Sequence, residues 1–151
     1  MEKAIIGLDI GGTTFSSTLS SESLEVLAHS DKKHVRDYID SSQLIDALCQ
    51  QIDSLSKSQA GHELVKIGVS SPGPLDARRG VILETPNLKL MQNVNLKKEI
   101  ESRLNIETQI ENDANLFTLG EWCMAGRNQS EVFAAVTLGT GMGFGLIING
   151  Q

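Results

Sequence analysis

Cysteine is scarce. Cys49 and Cys123 are the two cysteines in 151 residues, and neither has a CxxC-type neighbour. This excludes a disulfide scaffold and leaves two core or near-core thiols in a reducing compartment. Long apolar runs are also missing: none approaches the roughly 18 residues that a membrane span needs. Met1-Glu2-Lys3 leads directly into a short apolar strand, without a signal-peptide pattern. Basic residues are outnumbered, 13 Lys and Arg against 19 Asp and Glu, giving a net charge of −6. No basic stripe is present to neutralise nucleic-acid phosphates. His29, His34 and His62 are scattered, with no metal-ligand spacing. The expectation is a cytoplasmic protein with neither membrane nor nucleic acid as partner. What remains is 40% hydrophobic and 21% charged, the balance of a soluble domain large enough to bury a core.

The patterning changes along the chain. Residues 4–9, 14–20 and 24–29 read as successive antiparallel strands, with a tight turn from Ser20 to Ser23. Leu44, Ile45, Leu48, Cys49, Ile52 and Leu55 then recur at helical spacing, with Asp40, Ser41 and Ser42 available as N-caps. Strands are expected at Val65–Ser70, Val81–Leu83 and Thr108–Ile110, and a helix capped by Asn95 carries Leu96, Ile100 and Leu104. A third helix is expected to present Leu116, Leu119, Trp122 and Cys123 on one face, before two closing strands. Strands first, then strands alternating with helices, predict an α/β fold with a mixed sheet and helices on its faces.

Two glycine-rich loops each follow a strand-like apolar run: Asp9-Ile10-Gly11-Gly12-Thr13-Thr14 and Leu138-Gly139-Thr140-Gly141-Met142-Gly143-Phe144-Gly145. Glycine lets backbone N–H groups approach an anion closely, so the pair suggests a clamp on a polyphosphate. Neither loop is a P-loop or a GxGxxG fingerprint. For the first, a plain hairpin turn is the alternative. Four alternating glycines in the second favour close approach to a ligand over a turn. Asp9, at a strand end beside glycines, suits Mg²⁺ directly or through water, or else serves as a turn-forming cap. Asn112-Asp113 stands where a strand stops and a helix starts. Asp113 there is either a helix cap or a base that accepts the proton of an attacking hydroxyl. Asn87 is a turn residue or a contact for a polyol.

Taken in order, Leu8–Thr13, Ser71-Pro72-Gly73-Pro74, Thr85-Pro86-Asn87-Leu88, Glu111–Asn115, Gly120-Glu121 and Leu138–Gly141 span nearly the whole chain. The set resembles the ROK family of bacterial sugar kinases and related repressors, within the actin/hexokinase-like ATPase superfamily. The resemblance implies a ribonuclease-H-like lobe, antiparallel in its N-terminal part and flanked by helices. Residues 1–151 would form the single N-terminal lobe of a two-lobe, glucokinase-like enzyme whose C-terminal lobe lies outside this chain. It further implies ATP and Mg²⁺, with Asp9, Gly11, Gly12, Thr13 and Thr14 at the phosphates in one loop and Gly139, Thr140 and Gly141 in the other. Gly73, Asn87, Asn112 and Asp113 would contact a hexose or hexose derivative, with Asp113 as the catalytic base. A homo-oligomer is implied for the full-length protein.

Three departures stand out. Thr14 occupies a position where many members have Lys, Leu90-Met91-Gln92 replaces a common Pro-Gly-Trp, and the chain is about half the usual length. The rival readings are a sugar-sensing regulator of the same family and a non-catalytic interaction module. A regulator would carry a helix-turn-helix before the first strand, whereas here that strand begins at Ala4.

Overall fold

The computed structural model describes residues 1–125, 131–138 and 141–151. Their contacts divide the chain into two compact units, Met1–Glu111 and Asn112–Gln151.

The first unit is built on strand β1 (Glu2–Ile10), in which Ala4, Ile6, Leu8 and Ile10 are at most 1% exposed while Gly7 and Asp9 on the opposite face are open. A run that reads as continuously apolar is thus buried on one side only, with the period of two that a strand imposes. β2 (Thr14–Ser21) pairs antiparallel with β1 and contributes Phe15 and Leu19 to the same core. β3 (Val26–His29) and the two-residue β4 (Lys33–His34) both pair with β2. β5 (His62–Ser71) lies parallel to β1 on its other side, and β9 (Glu107–Asn112) follows at the edge, giving the order β3-β2-β1-β5-β9. Between them β6 (Leu75–Asp76), β7 (Val81–Ile82, where a strand is expected at Val81–Leu83) and β8 (Val94–Asn95) form a small separate sheet; β6 and β8 are two residues long and carry no period that could signal them.

Helix α1 (Ser41–Lys57) covers the core face. Leu44, Leu48 and Ile52 are fully buried, and Asp40 caps the helix by accepting from the Gln43 N–H at 2.9 Å. α2 (Leu96–Leu104) is capped by Asn95, which accepts from the Lys98 N–H at 3.0 Å. Arg103 of α2 reaches Asp46 of α1 at 3.2 Å and also pairs with Glu99. Beneath this cluster lies Cys49, whose thiol is pushed up to about 11 chiefly by burial.

Within the first unit the helices cover one face of the sheet. The other face carries Gly7 and Gly68 in register, and no atom stands within 4 Å of where a Cβ would project from either.

The second unit holds α3 (Asp113–Met124) and the hairpin β10 (Val132–Leu138) and β11 (Met142–Ile148). The expected burial of α3 needs correcting. Its buried positions are Ala114 and Thr118, while Leu119 and Phe117 are more than 40% exposed.

Candidate functional site

The first glycine loop is a tight hairpin turn: β1 ends at Ile10, β2 starts at Thr14, and the Gly11 N–H donates to the Thr14 carbonyl at 2.9 Å. The turn does not consume its remaining donors. Among the described residues the backbone N–H groups of Gly12 and Thr13 donate to no protein acceptor, so they are available to an anion. The Thr13 carbonyl is held by the Val35 N–H at 2.9 Å. Asp9 precedes the loop with its carboxylate exposed, flanked by Ser16 and Ser70 on the neighbouring strands, and it has no ion-pair partner among the described residues.

Gly12 and Asn87 are brought together. A Cβ added at Gly12 would collide with the Asn87 carbonyl oxygen and lie 3.2 Å from the Asn87 Cβ. Only glycine permits this approach of two loops 75 positions apart in sequence. Asn87 itself is exposed, between fully buried Thr85 and Leu88 that anchor its loop, and Gln92 donates to the Thr85 carbonyl at 2.8 Å. Gly73 follows β5, which is parallel to β1, so the loops after both strands leave from one edge of the sheet. Beside Gly12 and Asn87 runs a trough of about 400 Å³ whose walls include Arg36, Tyr38 and Lys89. Spacing in the sequence does not single out these three; the local sign of Arg36 is the basic run Lys32-Lys33-His34-Val35-Arg36.

In the second unit, Asn112 and not Asp113 caps α3: its side-chain oxygen accepts from the N–H groups of Ala114 at 3.0 Å and Asn115 at 3.3 Å. Asp113 is the first helical residue. It is exposed, and one carboxylate oxygen accepts from the Ala114 N–H at 2.8 Å. An acidic group at this end of a helix is favoured by the macrodipole, and its other oxygen stays open to solvent-side chemistry.

The second glycine loop divides. Gly139 and Thr140 lie outside the described residues. Gly141 is exposed, with open space where a Cβ would sit. Gly143 and Gly145 belong to β11, and their missing side chains make room for α3: a Cβ at Gly143 would strike Thr137 and Ala114, and one at Gly145 would strike Thr118 and the Ala114 carbonyl. Close approach to a ligand, expected for all four glycines, is therefore corrected for these two. Their role is helix–hairpin packing. Among the described residues no group of three or more His, Cys, Asp or Glu is placed to hold a metal, and no helix is long and apolar enough to cross a membrane.

The chain is 37% identical over 147 residues to the glucokinase of Thermotoga maritima, covering 97% of this chain and 45% of that protein. It is 34% identical over 146 residues to the N-acetyl-D-glucosamine kinase of Photobacterium profundum, covering 96% of this chain and 46% of that protein. Among solved structures, the ROK family glucokinase from Streptomyces griseus in complex with glucose and AMPPNP superposes with a TM-score of 0.83 at 29% identity, over 98% of this chain and 45% of that one. The chain thus spans under half the length of the relatives it matches. The mixed sheet with its antiparallel N-terminal part is that of ROK sugar kinases with the actin-like ATPase fold. The ROK family model matches residues 5–151, and the chain belongs to the ROK family.

Proposed function

We propose that this chain is the N-terminal part of an ATP-dependent sugar kinase that transfers the γ-phosphoryl group of ATP to a hydroxyl of a hexose or N-acylhexosamine. The observation that carries this reading is the seating of Gly12 against Asn87. It holds a loop with free backbone donors against a loop that presents an exposed amide, the two functions a phosphoryl transfer to a polyol requires. The glucokinase and N-acetyl-D-glucosamine kinase relatives support the substrate class.

In this reading Gly11, Gly12, Thr13 and Thr14 hold the donor phosphates, with Gly139, Thr140 and Gly141 as the second phosphate loop. Asn87, Asn112 and the Gly73 backbone orient the sugar. As the sugar oxygen bonds to phosphorus and the bond to the β-phosphate oxygen breaks, Asp113 accepts the hydroxyl proton and ADP leaves. Catalysis of this kind is mostly positioning and electrostatics, which matches loops built from backbone amides. Mg²⁺ would arrive with the nucleotide and offset phosphate charge. The exposed Asp9 carboxylate, lacking an ion-pair partner among the described residues, fits it as a single protein oxygen, the other ligands being phosphate and water. The protein is proposed to act in the cytoplasm, as a homo-oligomer at full length.

The test uses the full-length protein with ATP and a panel of hexoses and N-acylhexosamines. Asp113→Asn is expected to lower kcat by about 10²–10⁴-fold while the sugar Kd stays within a few-fold. Unchanged turnover would remove Asp113 from the chemistry. No turnover with any sugar by the unmodified protein would sink the kinase reading.

A further inference from the structure

Lys32, Lys33 and Arg36 place three positive charges within five positions of a chain whose net charge is −6. The fold fastens this run to the first glycine loop. In β4, His34 is the partner of Thr14 and Lys33 of Phe15, and the Val35 N–H then binds the Thr13 carbonyl. Arg36 follows directly and lines the trough of about 400 Å³ together with Gly12, Tyr38, Asn87 and Lys89. Arg36 and Lys89 are both exposed, and neither enters an ion pair among the described residues. The described lysine and arginine ion pairs engage Lys3, Lys57, Lys66, Lys97 and Arg103 instead, all away from this trough.

Two unneutralised cations from separate segments therefore share one concavity with Gly12, whose N–H is unused. The glycine loop itself holds no Lys or Arg, and its one ionisable residue, Asp9, is negative. Of the acidic residues close in sequence, Asp37 and Glu84 are exposed and neither lines the trough. A planar guanidinium offers paired donors to two oxygens of a phosphoryl group, and an ammonium adds a mobile point charge. We infer that Arg36 and Lys89 form a phosphoryl-anion subsite beside Gly12. It would take a phosphoryl dianion, either the end of a polyphosphate donor or the monoester of a phosphorylated sugar. The identity of the ligand rests on the kinase reading. The subsite rests on the trough and its unpaired cations.

Isothermal titration of the 151-residue chain at 0.15 M salt tests it, with inorganic tripolyphosphate in one arm and glucose 6-phosphate in the other. At least one probe is expected to bind, and the tighter of the two identifies the source of the phosphoryl group. Arg36→Gln with Lys89→Gln should weaken that binding about tenfold. Arg36→Lys alone, which keeps the charge and loses the paired donors, should weaken binding by less than the double variant. Arg79→Gln with Lys98→Gln removes the same charge from exposed sites elsewhere and should change affinity less than twofold. Equal weakening by the two double variants would reduce the effect to net charge and overturn the subsite, as would failure of both probes to bind. The kinase reading fails separately: if the full-length protein transfers no phosphoryl group while the variant pattern holds, that reading falls and the subsite stands.

Discussion

Gly12 touches the Asn87 carbonyl so closely that one added methyl group must move one loop or the other. Gly12→Ala is expected to destabilise the protein by about 1–3 kcal/mol in urea unfolding, the usual cost of overpacking. On the proposed sugar-kinase reading it should also raise the sugar KM of the full-length protein more than it lowers kcat, because the proposed sugar contact Asn87 is displaced and the proposed base Asp113 is not altered. A KM left unchanged would separate the two loops functionally. Cys49 gives a second test at this scale. Burial raises its thiol from 9.0 to about 11, so between those values the native state keeps a proton that the unfolded state has lost. Its contribution to stability is whole below pH 9 and declines as pH rises towards 11. Cys49→Ala should flatten this part of the pH–stability curve, and native Cys49 should alkylate at pH 8 far more slowly than a free thiol. Identity at these positions was legible in the sequence. The proximity of Gly12 to Asn87 was not, because nothing local relates residues 75 positions apart.

The helices were read well because their signals are local. Period and caps lie within a few residues, and Asp40 and Asn95 cap where the pattern places them. α3 shows where that logic stops. Its apolar residues suggest a Leu116/Trp122 face, yet the hairpin is met by Ala114 and Thr118, whose small size suits the absent side chains of Gly143 and Gly145. A glycine in sequence does not disclose whether it makes room for a ligand or for a helix, since that depends on the neighbour the fold supplies. Gly145→Ala is therefore expected to cost about 1–3 kcal/mol by driving a methyl group into Thr118. Hydrogen exchange should show lost protection in α3, β10 and β11 while β1, β2 and β5 keep theirs. Uniform loss across both sets would contradict the division of the chain into two compact units.

At the scale of the whole chain, the hairpin of the second unit leaves one face open. Val136, Leu138, Met142 and Phe144 on its outer side are 48–81% exposed, and a two-stranded sheet with one face packed gains little stability of its own. On the proposed kinase reading, the 151-residue chain is expected to turn over sugar at less than about a thousandth of the full-length rate, since closure of a second part completes such sites. Comparable rates for the two in a coupled ADP-release assay would refute this. From the sequence alone came the family, the caps of the first two helices and the antiparallel start of the sheet, because each depends on local spacing or on a motif. Tertiary structure alone decided the parallel seating of β5 on β1, the contact of Gly12 with Asn87, the packing role of Gly143 and Gly145, and the sharing of one trough by Arg36 and Lys89. Each of these is a contact between distant segments, set by which faces must be buried together and legible only once the chain has closed on itself.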